Sequence, residues 1–115
     1  MTHAVVVTDR DGVIRYWDTG ATTLFGHLER AVVGRPVDLL VPEHLREAHW
    51  SGFRRAMQTP AVVKDLAADL PVVCADGATR VFAGRLLVLS DGLRVALGAM
   101  AIYTDAGTTG IQPFS

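Results

Sequence analysis

His49 is the residue of this chain whose surroundings are best suited to chemistry. It lies in residues 41–57, VPEHLREAHWSGFRRAM, where a proline followed by charged residues predicts the start of a helix. Leu45, Phe53 and Met57 are apolar and lie at four-residue spacings in line with His49. A helix therefore places these three side chains and the imidazole on one face. An imidazole in such a stripe is either a core residue hydrogen-bonded to a backbone carbonyl or a ligand for something that the core encloses.

The other candidate residues have simpler explanations. Three histidines lie near a terminus or in turn-rich sequence, which predicts surface positions: His3, His27 and His44. Cys74 lies beside a turn on a presumed strand, without a cationic or histidine partner nearby in the sequence, and is expected to be a small, apolar-tolerant residue. Ser51 and His49 are two residues apart and fall on different helical faces, and no oxyanion-hole motif accompanies them. We therefore expect no enzymatic activity.

The composition excludes several classes of partner. The chain has 115 residues, half of them apolar, with 11 basic and 12 acidic residues and a net charge of -1. Without a basic field, neither nucleic acid nor a membrane surface is an expected partner. One cysteine excludes an internal disulfide and a cysteine-based zinc site. The absence of a signal-like leader and of an apolar run of about 20 residues predicts a cytoplasmic, soluble domain.

The elements that position His49 begin with a hairpin. Residues 4–8 and 13–17 are strand-forming runs on either side of the turn cluster 9–12. Asp18 or Thr19 is expected to cap a short helix over residues 21–25, which Gly26 closes. Two further short helices are predicted before the long one, over residues 27–33 and 36–40.

The second half of the chain changes to a two-residue period. Strands are predicted over residues 66–74, 80–89 and 93–103, and they are joined by two Asp-Gly turns of the kind that permits a positive φ at the glycine. The fold class is therefore α+β, a five-stranded antiparallel sheet with short helices and one longer helix on one face. We expect one domain over residues 1–105, a loose tail over residues 106–115, and a ligand cavity between the sheet and the long helix.

Four motifs in this order resemble those of PAS sensory domains. They are DGVIRYW at 11–17, the Leu-Phe-Gly that closes residues 21–26, VGRP at 33–36 and the Asp-Gly at 76–77. The resemblance covers about residues 4–105 and implies the PAS fold and a role in signal transduction. Where the family usually has Asn-Pro after the second strand, this chain has Asp18-Thr19, a change that concerns helix capping.

Within that family, VPEHLREAH resembles the haem-binding gas sensors, and His49 falls on their proximal-ligand position. The resemblance implies a b-type haem ligated by His49, with iron as the bound metal, and Phe53 and Met57 lining the cofactor cavity. Arg55 falls where such sensors can offer an arginine to a haem propionate, although a solvated helix face also accounts for it. Two alternatives remain: a cofactor-free module that dimerises or docks to a signalling partner, and a domain that binds another small apolar ligand.

The far side of the cavity departs from the oxygen sensors. The strand positions at which those sensors place a distal methionine and a gas-contacting arginine fall on Leu66 and Ala68 here, and a slip of one or two residues would bring in Asp69 or Lys64. Without a distal donor, we expect a five-coordinate ferrous haem that takes CO or NO readily and holds O2 weakly. Because the chain carries no effector segment, we expect a conformational change to transmit the signal to a separate partner or through a homodimer. A partner or second copy is also expected because the outer face of the sheet carries apolar residues, and such faces are usually buried in an interface.

Overall fold

Five strands form one antiparallel sheet in the order β2-β1-β5-β4-β3, which confirms the predicted fold class. The computed structural model describes residues 2–58 and 66–113. The strands are β1 His3–Asp9, β2 Ile14–Trp17, β3 Leu66–Val73, β4 Thr79–Ser90 and β5 Ala96–Thr104. The helices are α1 Thr19–Phe25, α2 Glu29–Val32 and α3 Arg46–Gln58, with 3₁₀ turns at Val37–Leu40 and Glu43–Leu45.

Short polar residues close the first hairpin and start α1, as predicted. The Asp9 carboxylate accepts hydrogen bonds from the backbone N–H groups of Asp11 and Val13, and Gly12 between them has a φ of +79°. Asp18 caps α1 and also accepts a hydrogen bond from Val5 N–H, so one carboxylate fixes the helix to β1. These local interactions place α1 across the sheet.

The connection between α2 and α3 runs along the free edge of β2. Ile14 N–H donates to Arg35 C=O, Gly34 N–H donates to Ile14 C=O, and Val37 N–H donates to Gly12 C=O. The segment thus satisfies backbone groups that an edge strand otherwise leaves open. It also brings the first 3₁₀ turn next to the β1–β2 turn, on which α3 packs.

The long helix begins later than the sequence pattern indicates. Residues 43–45 form a 3₁₀ turn after Pro42, and regular α-helix starts at Arg46. The predicted stripe nevertheless faces inward, because Leu45, His49 and Phe53 are half-buried and Met57 is buried. The periodicity therefore identified the correct face of α3.

The two hairpin turns of the second half differ in their backbone. Gly77 has a φ of +85°, as the Asp-Gly pattern predicts. In the β4–β5 turn the positive φ that the pattern permits at Gly92 is instead adopted by Arg94, at 65°. The Asp91 carboxylate accepts hydrogen bonds from the N–H groups of Leu93 and Val95 and so moves the left-handed residue to position 94.

The core lies between the inner face of the sheet and the helices. Phe25 is at its centre, with edge-to-face contacts to Trp17, Phe82 and Tyr103 at ring-centroid distances of 5.8, 5.1 and 4.9 Å. The inward residues of β3 complete it: Ala68, Leu70 and Val72. This end of the domain is closely packed, since Leu70 occupies the space that a Cβ on Gly84 would need.

The tail differs from the predicted loose segment over part of its length. The Asp69 carboxylate accepts hydrogen bonds from the backbone N–H groups of Thr109 and Gly110 and from the Thr109 hydroxyl. Asp69 N–H donates to Ile111 C=O at 2.8 Å. The tail therefore crosses the outer face of the sheet and adds to the edge of β3. Among residues 2–58 and 66–113, no helix is long and apolar enough to cross a membrane.

Candidate functional site

The imidazole of His49 sits among aromatic rings on the inner side of α3. Its centroid is 4.9 Å from that of Trp50, edge to face, and 6.2 Å from that of Phe53, nearly parallel at 27°. The i, i+4 spacing of His49 and Phe53 produces the stack, because residues four apart lie above one another on a helix. The ring is half-buried, as a ligand for an enclosed group needs to be.

Burial keeps His49 neutral. Loss of solvent around the ring lowers its pKa below the usual 6.5, while the negative charge of Asp38 nearby acts in the opposite direction and is the smaller effect. The Asp38 carboxylate accepts a hydrogen bond from Trp50 Nε1 at 3.2 Å. The lowered pKa favours the neutral imidazole, which is the form that can bind a metal or accept a hydrogen bond.

Trp50 fixes α3 to the β1–β2 turn. A Cβ on Gly12 would overlap the Trp50 ring and lie 3.7 Å from Phe53, so only glycine permits this approach. The sequence pattern placed neither Trp50 nor Asp38 at the site. Gly12 was the one sequence feature that could have indicated this contact, because a glycine in a turn can allow another residue to approach closely. The sequence does not show which residue that is.

Strand β5 lies beneath α3 and presents small side chains to it. The helix packs against this strand, whose inward residues Ala99 and Ala101 are alanines. Thr8 of β1 pairs directly with Ala99, and its side chain points inward with 6% of the residue exposed. Among the residues that the structure describes, the Thr8 hydroxyl finds no hydrogen-bond partner. The sequence analysis did not single out Thr8, since a threonine in a β-branched run is usual for a strand.

The other predicted cofactor residues are placed as follows. Met57 is buried, Phe53 is half-buried, and Arg55 is exposed. Ala68 is buried in the main core, and Leu66 pairs through its backbone with Leu86, while its side chain lies outside the described part of the chain.

The alternative register for the distal strand is wrong as far as Asp69 is concerned. This carboxylate points to the outer face of the sheet, where it binds the tail, because neighbouring residues of a strand alternate between faces. Lys64 lies outside the described residues. Ala68 therefore lies on the inner face, in the register first predicted. Its strand, β3, is two positions away from β5, the strand against which the His49 helix packs.

One of the remaining histidines is not the surface residue that the sequence predicts. His27 is half-buried, with Nε2 at 3.1 Å from Val73 C=O and its ring against Trp17 at 6.1 Å. His3 and His44 are exposed, as expected. Within the described ranges, no group of three or more His, Cys, Asp or Glu residues is arranged to hold a metal ion.

Comparison with known proteins identifies the family. A model of the PAS fold matches residues 1–109. The chain belongs to the PAS family. As a PAS domain it is a signalling module of the sensor or interaction kind.

Solved PAS domains share the fold at low sequence identity. The PAS domain of a Colwellia psychrerythraea protein superposes with a TM-score of 0.77 at 24% identity, covering 90% of this chain and 85% of that one. The PAS-B domain of Drosophila melanogaster Cycle, solved with ethylene glycol, gives 0.69 at 13%, covering 86% and 94%. The PAS domain of the histidine kinase ThkA gives 0.64 at 22%, covering 91% and 100%.

A sequence relative extends well beyond this domain. An uncharacterized protein of Azorhizobium caulinodans is 37% identical over 57 residues, which are 49% of this chain and 8% of that protein. The PAS chain thus matches a small part of the length of that relative.

Proposed function

We propose that this PAS domain is a haem-based sensor of a diatomic gas or of redox state, with His49 as the iron ligand. The observation that carries the proposal is the inward-facing imidazole of His49, which burial keeps neutral. Imidazole is a common ligand of haem iron, and it binds metals in its neutral form.

The chemistry of the surrounding side chains fits such a group. Phe53 and the buried Met57 provide an apolar wall on the same face of α3, and Ala99 and Ala101 are small residues in the middle of β5, the strand against which α3 packs. A bound b-type haem would supply an iron that takes CO, NO or O2 or changes oxidation state. Arg55, exposed on α3, is the residue proposed to accompany a propionate at the solvent side.

The test is optical. Purified protein is titrated with haemin, and we expect a Soret band with one haem per chain, lost in His49→Ala. His44→Ala is the matched control, because His44 is exposed five residues earlier and its loss should leave the band unchanged. Circular dichroism of each variant separates loss of the ligand from loss of the fold.

Three outcomes would contradict the proposal in different ways. Absence of a Soret band in the parent protein would refute haem binding and leave a PAS domain for another small apolar ligand or for interaction alone. An unchanged band and stoichiometry in His49→Ala would show that another residue ligates the iron. Unfolding of His49→Ala would indicate that His49 is a core residue.

A second candidate function, an interaction module without a cofactor, is favoured by the outer face of the sheet. Cross-strand pairs there place apolar side chains side by side, and the neighbouring Tyr16 is 53% exposed. The face includes Val5, Val7, Leu87, Met100 and Ile102, with the exposed Arg85 opposite Ile102. A homodimer or a separate signalling partner packed on these residues would remove them from water. A sedimenting monomer at tens of micromolar, roughly the range of weak interfaces, would count against the homodimer.

A further inference from the structure

The C-terminal tail lies on one row of the outer sheet face. Cross-strand pairing places four residues side by side in this row, one on each of four strands: His3, Thr104, Ala83 and Asp69. β5 ends at Thr104, and Thr109 is already hydrogen-bonded to Asp69 on β3, so the tail crosses β4 between them. Thr109 also lines a shallow groove of about 190 Å³ together with Ala83 and Thr104, which locates the tail on this face.

Hydrogen bonds at the protein surface hold the tail to β3. The Asp69 carboxylate accepts from the Thr109 hydroxyl and from Gly110 N–H, both at 2.9 Å, and also from Thr109 N–H. Water can replace the partners of exposed groups such as these, so the net gain from each hydrogen bond is small. Ile111 is 52% exposed and adds little apolar burial. We therefore expect the docked and the released tail to be close in free energy.

The tail meets the apolar residues of the outer face at Ile102. This residue pairs with Val5 on β1, and it also lines the groove beside Thr109. Two sheets that pack face to face lie about 10 Å apart, and their side chains fill the space between them. A backbone segment that lies on the sheet occupies this space above its own row. A docked tail therefore keeps a second sheet from closing on the Ile102 end of the face.

The charges on the outer face favour a second copy of this chain as the occupant. Arg85 is exposed opposite Ile102, and Asp69 lies one row away on the neighbouring strand. A two-fold axis that passes between these positions brings Arg85 of one copy to Asp69 of the other, and the reverse pair forms as well. Opposite charges that meet across an interface favour this arrangement over others. Release of the tail makes the Asp69 carboxylate available for the pair.

We propose that the tail is a displaceable cover of the outer face, and that its release from Asp69 allows a second copy of the chain to pack there. This inference rests on the interaction module proposed above and adds the partner and the control of that surface. In the covered state Asp69 binds Thr109 and Gly110, and in the dimer it binds Arg85 of the second copy. Both copies must release their tails, so a tail that is released roughly a third of the time weakens association about ninefold.

The experiment compares self-association of the full parent chain and of Thr109→Pro/Gly110→Pro. Proline has no N–H, so the double variant removes both backbone donors to Asp69 together with the Thr109 hydroxyl. We expect sedimentation equilibrium to give a dimer dissociation constant roughly tenfold lower than that of the parent. Gly107→Ala is the matched control in the tail, because its Cβ meets nothing within 4 Å, and it should leave the constant unchanged.

Two further variants, made in the double-proline chain, test which surface the second copy covers. Met100→Asp places a charge among the apolar residues and should abolish the dimer. Arg85→Glu changes an exposed residue of the same face and should weaken the dimer by about tenfold or more, because it places like charges together. Circular dichroism should show the same fold in all of these variants.

The outcomes separate the cover from the interface on which it depends. An unchanged constant in the double-proline chain, with a dimer that Met100→Asp disrupts, would overturn the cover and leave the interaction module standing. A tighter dimer that neither Met100→Asp nor Arg85→Glu weakens would place the contact on another surface and would also overturn the inference. Monomers up to roughly 1 mM in both the parent and the double-proline chain would refute the interface and the cover together.

Discussion

The buried hydroxyl of Thr8 leads to a stability prediction that is independent of any ligand. Thr8→Val removes a polar atom that has no partner within the described chain and leaves the shape of the side chain unchanged. An unsatisfied buried hydroxyl costs about 1–3 kcal/mol, and valine and threonine are both favourable in strands. The ligand-free protein should therefore gain about 1–3 kcal/mol in its free energy of unfolding.

The gain is large enough to measure by thermal unfolding. For 115 residues the entropy of unfolding is about 0.24 kcal/mol per kelvin, so each kcal/mol raises Tm by roughly 4 °C. We expect Tm of Thr8→Val to rise by roughly 4–12 °C in a scan followed by circular dichroism, with a matching shift in the urea midpoint and an unchanged m-value.

Thr22→Val is the matched control with the opposite sign. The Thr22 hydroxyl accepts a hydrogen bond from Trp17 Nε1 at 3.0 Å, and that N–H also donates to His27 C=O at 3.1 Å. Because His27 C=O remains as an acceptor for the Trp17 N–H, Thr22→Val should lower the free energy of unfolding by about 0.5–1.5 kcal/mol. Destabilisation by Thr8→Val, or equal changes in the two variants, would refute the argument, because the Thr8 hydroxyl would then have a partner.

Three further predictions concern the tail, pH and the β1–β5 contact. Asp69→Asn should speed hydrogen exchange at the amides of Thr109 and Gly110, which donate to the carboxylate. Unchanged protection would show that the backbone hydrogen bond from Asp69 to Ile111 is enough to hold the tail. Folding lowers the pKa of His49 below 6.5, so protonation of this residue favours the unfolded state. The free energy of unfolding should therefore be highest above pH 6.5 and should decline as the pH falls toward the folded-state pKa. His49→Gln should reduce the loss of urea resistance between pH 7.5 and 5, and an equal loss would contradict the shift. Gly98→Ala should cost about 1–3 kcal/mol, since its Cβ overlaps a β1 carbonyl, whereas Gly107→Ala meets nothing within 4 Å and should be nearly neutral in the same urea titration.

The sequence identified features whose causes are local. Asp18 and Gly26 bracket α1 as predicted, because capping depends on side chains and backbone within a few residues. The inward face of α3 followed from a four-residue spacing, which is a property of the helix itself. The sequence motifs resemble those of PAS domains, and that resemblance implied the strand order that the structure has.

The features that the sequence missed depend on residues far apart along the chain. Trp50 meets Asp38 and Gly12 only after α3 has docked on the first hairpin. Asp69 binds Thr109 across 40 residues, and a carboxylate in a strand pattern carries no sign of such a distant partner. Pairings of this kind are decided by the packing of whole elements, which local patterns do not encode.

The candidate site shows the same division. By itself the sequence determined that His49 stands in an apolar stripe, because periodicity fixes which side chains share a helical face. Only the tertiary structure decided that burial lowers the pKa of the imidazole and that Thr8 is buried without a partner within the described chain, because burial and desolvation are set by what packs around a residue. For the same reason only the structure showed that α3 packs on β5, two strands away from the β3 positions that the sequence had indicated.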